Sequence, residues 1–224
     1  MSLNRAVLSD QVKEILLKRI LDGEYSPGDR LVEMHIAQEF EISQAPVREA
    51  LRELEALGFV ESEPYRGTRV RAVTKSELTE IYPVRAALEE VAARAAAVRL
   101  AGNVEALEAE LAAMVEALEA ELAAMHAAAE KGDLYEEVQH DVEFHRLIVE
   151  ASGNRVLQDM WRSLRIEART LISVLKVHIG GYELAEMHRP VLEALAEGDA
   201  EKAGLLLRNH VEYFGELIMK GDSA

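Results

Sequence analysis

Four side chains in the second half of the sequence have the chemistry and spacing of a metal site. Asp141 and His145 are four residues apart, so on a helix their carboxylate and imidazole share one face, close enough to bind one ion. His188 and His210 follow on two later helical segments and would complete a three-His, one-Asp site inside a bundle. A set of nitrogen and oxygen ligands without sulfur suits Zn²⁺, Ni²⁺ or Mn²⁺ and does not distinguish among these metals. From spacing alone, core histidines satisfied by hydrogen bonds are the commoner explanation.

Basic and amide side chains cluster at the start of a predicted helix in the first third of the chain. Arg48 could donate two hydrogen bonds to O6 and N7 of guanine, and Gln44 could form a pair of hydrogen bonds with N6 and N7 of adenine. Further on, Arg66 lies beside Gly67 at a turn, which suits contact with a phosphate or the minor groove. The candidate DNA-binding residues are Ser43, Gln44, Arg48, Arg52, Arg66 and Gly67. An ordinary solvated helix face, with neighbouring glutamates as partners, is the alternative for the two helical arginines.

The elements that would carry these side chains follow one another in the order of a winged helix-turn-helix. Apolar spacing predicts helices at 8–21 and about 33–41. A third helix is predicted from Pro46 to Leu57, with Ser43 as its N-cap and a glycine directly after its end. Two short extended runs then follow, joined by a turn at residues 65–67. We therefore expect three helices and a small two-stranded wing.

From Ser76 onward, where that serine is the expected N-cap, the spacing is helical and no strand is predicted. Helices are expected at about 76–101, 133–151, 154–178, 183–197 and 199–219. The segment 105–114 recurs identically at 116–125, a period of 11 that lengthens a helix without rotating its apolar face. The chain is therefore predicted to be mainly α. Its expected parts are a winged helix-turn-helix at 1–73, a linker at 74–79 and an all-α antiparallel helical bundle at 80–224.

Composition and charge limit the classes of function. The chain has no cysteine, which excludes disulfides, iron–sulfur clusters, thiolate zinc sites and a cysteine nucleophile. Neither a signal peptide nor an apolar stretch of about 18 residues occurs, so we expect a cytoplasmic protein without a membrane partner. The net charge is −16, but residues 1–73 hold 10 basic and 13 acidic residues, against 15 and 28 in the remainder. The first third can therefore still present a basic face to DNA.

The predicted recognition helix and wing carry a resemblance to a known family. The residues concerned are Ile42–Val60 and Arg66–Val70. Together with the preceding helices, over about 8–73, they resemble the DNA-binding domain of the GntR family of bacterial transcription regulators. The resemblance implies a homodimer on a pseudo-palindromic double-stranded operator. The family commonly places Arg then Thr after the capping serine, whereas this chain has Gln44 and Ala45. We therefore expect a different operator sequence and weaker binding to the usual consensus.

A second resemblance covers about residues 78–219. The pattern consists of Val84–Glu89, Asp141–His145, Ala151–Asn154, His188 and His210. It is similar to the FCD ligand-binding domain of the FadR subfamily of GntR regulators. The resemblance implies one divalent transition metal per chain, bound by Asp141, His145, His188 and His210. It also implies a small organic acid as effector, with Arg85 as the candidate contact for its carboxylate. An ion pair between Arg85 and Glu89 is the alternative. Arg165 and Arg169 are expected to be exposed to solvent, with a position facing the effector cavity as the alternative for each.

These features favour a metabolite-responsive transcription regulator, most simply a repressor and not an enzyme. An acid bound beside the metal would act allosterically on operator binding. One alternative is a metal-dependent hydrolase-type enzyme. The sequence contains no hydrolytic signature motif that would support this alternative. A hydrolase would also need a general base near the metal, but Glu143 points away from the helix face of Asp141 and His145. The other alternative is a pure metal-sensing regulator, which differs only in what fills the open coordination position.

Overall fold

The chain divides into two compact units, Met1–Val73 and Thr74–Ala224. The computed structural model describes residues 5–63, 66–100, 105–166, 168–170 and 185–220. The first unit contains α1 (Arg5–Leu21), β1 (Arg30–Leu31), α2 (Glu33–Glu39), α3 (Gln44–Leu57), β2 (Val60–Glu63) and β3 (Gly67–Val70). Its core includes the fully buried side chains of Leu16, Val47, Leu54 and Phe59. Since α1 packs against α3, burial of these residues holds the third helix in place with its opposite face free.

The wing has three strands and not the two predicted from the sequence. β3 lies in the middle, antiparallel to both β2 and β1, with Arg30 opposite Arg69 and Leu31 opposite Thr68. β1 was not predicted because a strand of two residues is too short to show an alternating pattern. It forms by pairing with residues far along the chain. The rest of the arrangement is the expected winged helix-turn-helix.

α3 begins at Gln44, two residues before the predicted start. Ser43 has the extended backbone of an N-cap, but its side chain makes no capping hydrogen bond. At the other end Gly58 has a φ of 93°, a left-handed conformation that glycine adopts without strain, and its N–H bonds to the carbonyls of Leu54 and Glu55. The helix that carries the candidate base-reading residues therefore starts and stops at defined positions.

The second unit is helical in all of its described secondary structure. The helices bounded within its described residues are α4 (Lys75–Leu100), α5 (Glu105–Lys131), α6 (Leu134–Ala151), α7 (Arg155–Ser163), α8 (Arg189–Ala196) and α9 (Ala200–Lys220). α9 packs along α4, and α5 packs against α6. A Cβ at Gly204 would lie 2.5 Å from Cγ of Arg94, and one at Gly215 would lie 2.9 Å from Cγ of Tyr82. Small residues therefore allow the antiparallel helices α4 and α9 to approach closely, around a core of alanines, Phe144 and Trp161.

Several boundaries in the second unit differ from the expected ones. Most of the expected linker at 74–79 is helical, because the Thr74 hydroxyl accepts a hydrogen bond from the Glu77 N–H at 3.2 Å and caps α4 in place of Ser76. The helix expected over 154–178 is interrupted after Ser163, where Arg165 has a left-handed φ of 48°, and residues 166 and 168–170 are helical again. Its expected residues 171–178 lie outside the described residues. None of the described helices is both long and apolar enough to cross a membrane.

Candidate metal centre and nucleic-acid interface

The second unit brings together the four side chains predicted to bind a metal. Asp141 and His145 lie one turn apart on α6, His188 directly precedes α8, and His210 lies on α9. One ligand atom from each lies within 4.8 Å of the others. The three imidazoles are buried, and 15% of the Asp141 side chain is exposed. α8 begins after His188 because Pro190 in its first turn needs no helical hydrogen bond.

Three of the distances between these atoms have the length expected between ligands of a single ion. His188 Nε2 lies 3.0 Å from Asp141 Oδ1 and 3.3 Å from His145 Nε2, and His145 Nε2 lies 3.2 Å from His210 Nε2. Ligands about 2.1 Å from an ion are about 3.0 Å apart at right angles and about 3.4 Å apart in a tetrahedron. The 3.9 Å between His145 Nε2 and Asp141 Oδ1 is longer than these edges, and all four ligand atoms lie within 4.8 Å of one another. Four such ligands leave an octahedral ion with positions open to water or a ligand.

The protonation states of Asp141 and His210 also suit a cation. Burial alone would raise the pKa of Asp141, but the hydrogen bond from His188 and the nearby positive charges hold it well below its usual range. Burial, followed by the charges of His188 and His145, lowers the pKa of His210. The site therefore offers a carboxylate and a neutral imidazole, which are the forms that bind metals.

Glu89 on α4 orients one of the candidate ligands. Its Oε2 accepts a hydrogen bond from His145 Nδ1 at 2.5 Å, and its Oε1 accepts from Trp161 Nε1 and Arg85 Nε, both at 2.7 Å. Burial would raise the pKa of Glu89, but the Arg85 guanidinium and His145 hold it well below its usual range. A proton held on His145 Nδ1 leaves the Nε2 lone pair facing the other ligands, as carboxylate–histidine pairs do at metal sites.

From the sequence, Glu89 was expected only as an ion-pair partner of Arg85, and its contact with His145 was not predicted. The ion pair is present: Arg85 is buried, binds Glu89, and donates through Nη1 to Thr170 Oγ1 at 3.3 Å. Its charge also helps to lower the pKa of Asp141. Arg85 therefore lies beside the cluster and acts on it at least through Glu89.

Several other basic side chains of the second unit lie outside the cluster. Arg169, expected at the surface, is buried and binds Glu77 at 2.7 Å, whereas Arg165 is exposed as expected. His126 and His140 pair with Glu186 and Glu121, respectively. These two histidines are therefore useful comparisons for the three in the cluster.

The candidate DNA-binding residues of the first unit are all exposed. Ser43 and Gln44 lie at the start of α3, with Arg48 and Arg52 following, and Arg66 and Gly67 lie at the wing. Each arginine has an acidic neighbour: Arg48 binds Glu33 through two nitrogens at 2.8 and 3.1 Å, Arg52 binds Glu49, and Arg66 binds Glu63. Exposed pairs of this kind are worth little, so a phosphate or base can replace the glutamate. Arg30, which the sequence analysis missed, lies next to Gly67.

Comparison with known families matches residues 80–213 to the FCD domain and residues 8–70 to the bacterial regulatory proteins of the gntR family. The chain belongs to the GntR family. It is 37% identical to the "Probable D-xylose utilization operon transcriptional repressor" of Paenarthrobacter nicotinovorans, over 93% of this chain and 88% of that one.

Solved GntR-family structures have the same fold. Escherichia coli McbR/YncC superposes with a TM-score of 0.70 at 25% identity, covering 95% of this chain and 97% of that one. A putative GntR regulator from Rhodococcus sp. RHA1 gives 0.69 at 24% identity, covering 94% and 97%. The matched family and the Paenarthrobacter relative are transcription regulators and not enzymes. This GntR-family protein is accordingly a DNA-binding transcription regulator.

Proposed function

We propose that this regulator is a cytoplasmic repressor whose operator binding changes when a small organic acid binds beside a divalent transition metal in the second unit. The observation that carries the proposal is the convergence of one carboxylate and three imidazoles. The Paenarthrobacter relative is described as a repressor of a D-xylose operon, which supports repression here and makes sugar-derived acids good first probes.

The residues around the cluster have separate roles in this proposal. Asp141, His145, His188 and His210 would hold Zn²⁺, Ni²⁺ or Mn²⁺, which when bound supplies a positive charge for a carboxylate. Glu89 fixes the orientation of His145, and the Arg85 guanidinium keeps Glu89 ionised. Arg85 would add attraction for an anion arriving at the open side of the site.

Thermal melting tests the proposal. Metal-loaded and chelator-stripped protein would be melted with a panel of carboxylates, with His210→Ala as the control. We expect at least one acid to raise the melting temperature of the loaded wild type only. A response to metal alone, with no acid active, would favour the pure metal sensor. Stabilisation by an acid that is equal in stripped protein would contradict the proposed site.

Arg48 on α3 is expected to read the operator. Arg48→Ala should weaken operator binding by about 1–3 kcal/mol, roughly 5- to 150-fold, because a bidentate contact to guanine is lost. Fluorescence anisotropy on a DNA fragment selected from the source genome would measure this. Glu33→Ala, which removes the partner of Arg48, should leave affinity unchanged or raise it. Equal affinities of wild type and Arg48→Ala would show that Arg48 does not read DNA.

We propose that the protein is a homodimer, as a two-fold operator requires. Three valines on α4, Val84, Val91 and Val98, are 45–62% exposed and recur every seven residues. This is the spacing of a helix–helix seam, and the exposed Ala87 between them leaves room for close approach. The seam therefore suits the same seam of a second copy.

Val91→Glu should accordingly give a monomer, because it would place two carboxylates against each other at the seam. Light scattering on a sizing column measures the mass. Val156→Glu is the matched control, since Val156 is 69% exposed on α7 and lies outside the seam. A dimeric Val91→Glu variant would place the interface elsewhere.

A further inference from the structure

A buried acid lies next to the candidate metal ligands without belonging to them. Glu137 is on α6, one turn before Asp141, and is 3% exposed. Its Oε1 has no hydrogen-bond partner among the residues that the structure describes. Burial and the charge of Asp141 raise the pKa of Glu137 to about 7, while His188 opposes the shift. Both groups that act on it are members of the metal cluster.

Burial of the Glu137 carboxyl opposes folding, and the contribution visible in the described part of the chain is its place in the first turn of α6. Burying a carboxyl group without a hydrogen bond opposes folding, and an apolar side chain would fill the position better. Residues 137, 141 and 145 recur every four residues, so Glu137 extends the helix face that carries Asp141 and His145. A buried polar group with an unused acceptor on that face points to a contact made only when a ligand is present.

We propose that Glu137 is a specificity-determining residue that binds hydroxyl groups of the effector. The effector would then be a hydroxylated carboxylate of the sugar-acid type and not a simple fatty acid or an amino acid. This inference rests on the proposed function, in which the carboxylate end of the effector is held at the metal.

The surroundings of the buried carboxyl favour a hydroxyl over an amine. A hydroxyl can donate a hydrogen bond to the unused Oε1 without adding charge. An ammonium would bring a further positive charge close to the bound metal ion, which Coulomb repulsion opposes. A methylene chain would leave Glu137 unsatisfied, so the site would discriminate against acids without hydroxyls.

The first part of the test measures stability without effector. Glu137→Leu and Glu137→Gln should each raise the melting temperature of the chelator-stripped protein and leave the metal content after reloading unchanged. Glu136→Leu, at the neighbouring half-buried position, is the control for an added apolar side chain. A lower melting temperature in both Glu137 variants would show that Glu137 has a structural role, which would overturn the proposal.

The second part compares acids of equal length on metal-loaded protein: D-xylonate with pentanoate and 5-aminopentanoate, and D-gluconate with hexanoate. At least one hydroxy acid should raise the wild-type melting temperature more than its matched acids, and Glu137→Leu should abolish that difference. The proposal falls if no hydroxy acid acts, if the matched or amino acid is as effective, or if Glu137→Leu keeps the preference. If an acid without hydroxyls raises the melting temperature only in metal-loaded protein, the role of Glu137 is wrong but the proposed function stands. If no carboxylate raises the melting temperature, the proposed function is wrong as well.

Discussion

Glu89→Ala is expected to lower the free energy of unfolding by about 3–5 kcal/mol, because it leaves a buried charge without its partner. Glu89 is fully buried and accepts hydrogen bonds from Arg85, His145 and Trp161. Removing its carboxylate strands a guanidinium and two N–H donors away from water. Urea denaturation at one fixed protein concentration measures the loss, since the stability of a dimer depends on concentration.

Glu90→Ala is the matched control, because Glu90 is the next residue on the same helix and has two arginine partners of its own. Its pairs with Arg94 and Arg208 lie near the surface, where each is worth about 0–1 kcal/mol. Equal losses in the free energy of unfolding for Glu89→Ala and Glu90→Ala would contradict this prediction. They would show that the buried hydrogen bonds of Glu89 do not stabilise the protein more than the surface pairs of Glu90.

Replacing His145, His188 or His210 with alanine is expected to weaken metal binding by at least about 100-fold, since even the loss of a residue that only supports a ligand costs about 10–100-fold. These three histidines and Asp141 are the only group of three or more potential metal ligands found together among the described residues. Competition with a chromophoric chelator measures affinity, and elemental analysis after dialysis measures content.

His126→Ala and His140→Ala are the controls for the metal experiment. Both histidines lie in the same unit and each pairs with a glutamate, but neither belongs to the cluster. Their variants should keep wild-type affinity. Similar losses in all five variants would mean that alanine substitution perturbs the fold, and no loss in any of them would place the metal elsewhere.

The sequence predicted the helical part of this fold well because its signals are local. Apolar spacing, together with caps such as Gly58, fixed α3 to within two residues. The pairing of Asp141 with His145 was readable for the same reason, since both lie on one turn of α6. That His188 and His210 reach the same point was implied by the family resemblance, because spacing alone cannot show where separate helices meet.

The features that the sequence did not predict depend on contacts between distant residues. Glu89 meets His145 across 56 positions and Trp161 across 72, so its role could not be read from its neighbours. β1 exists only through pairing with β3. Arg169 is buried because Glu77, 92 positions away, binds its guanidinium. Such contacts are formed by tertiary packing, which has no local pattern.

The most direct test of this account is operator binding measured as an organic acid is titrated into metal-loaded and metal-stripped protein. With an acid identified by thermal melting, we expect operator affinity to change by about 5- to 150-fold in the loaded protein, the usual range for coupled sites. The stripped protein and His210→Ala should show no such change. An equal effect of the acid with and without metal, or no effect on the operator complex in either state, would contradict a regulator that senses its effector at the metal centre.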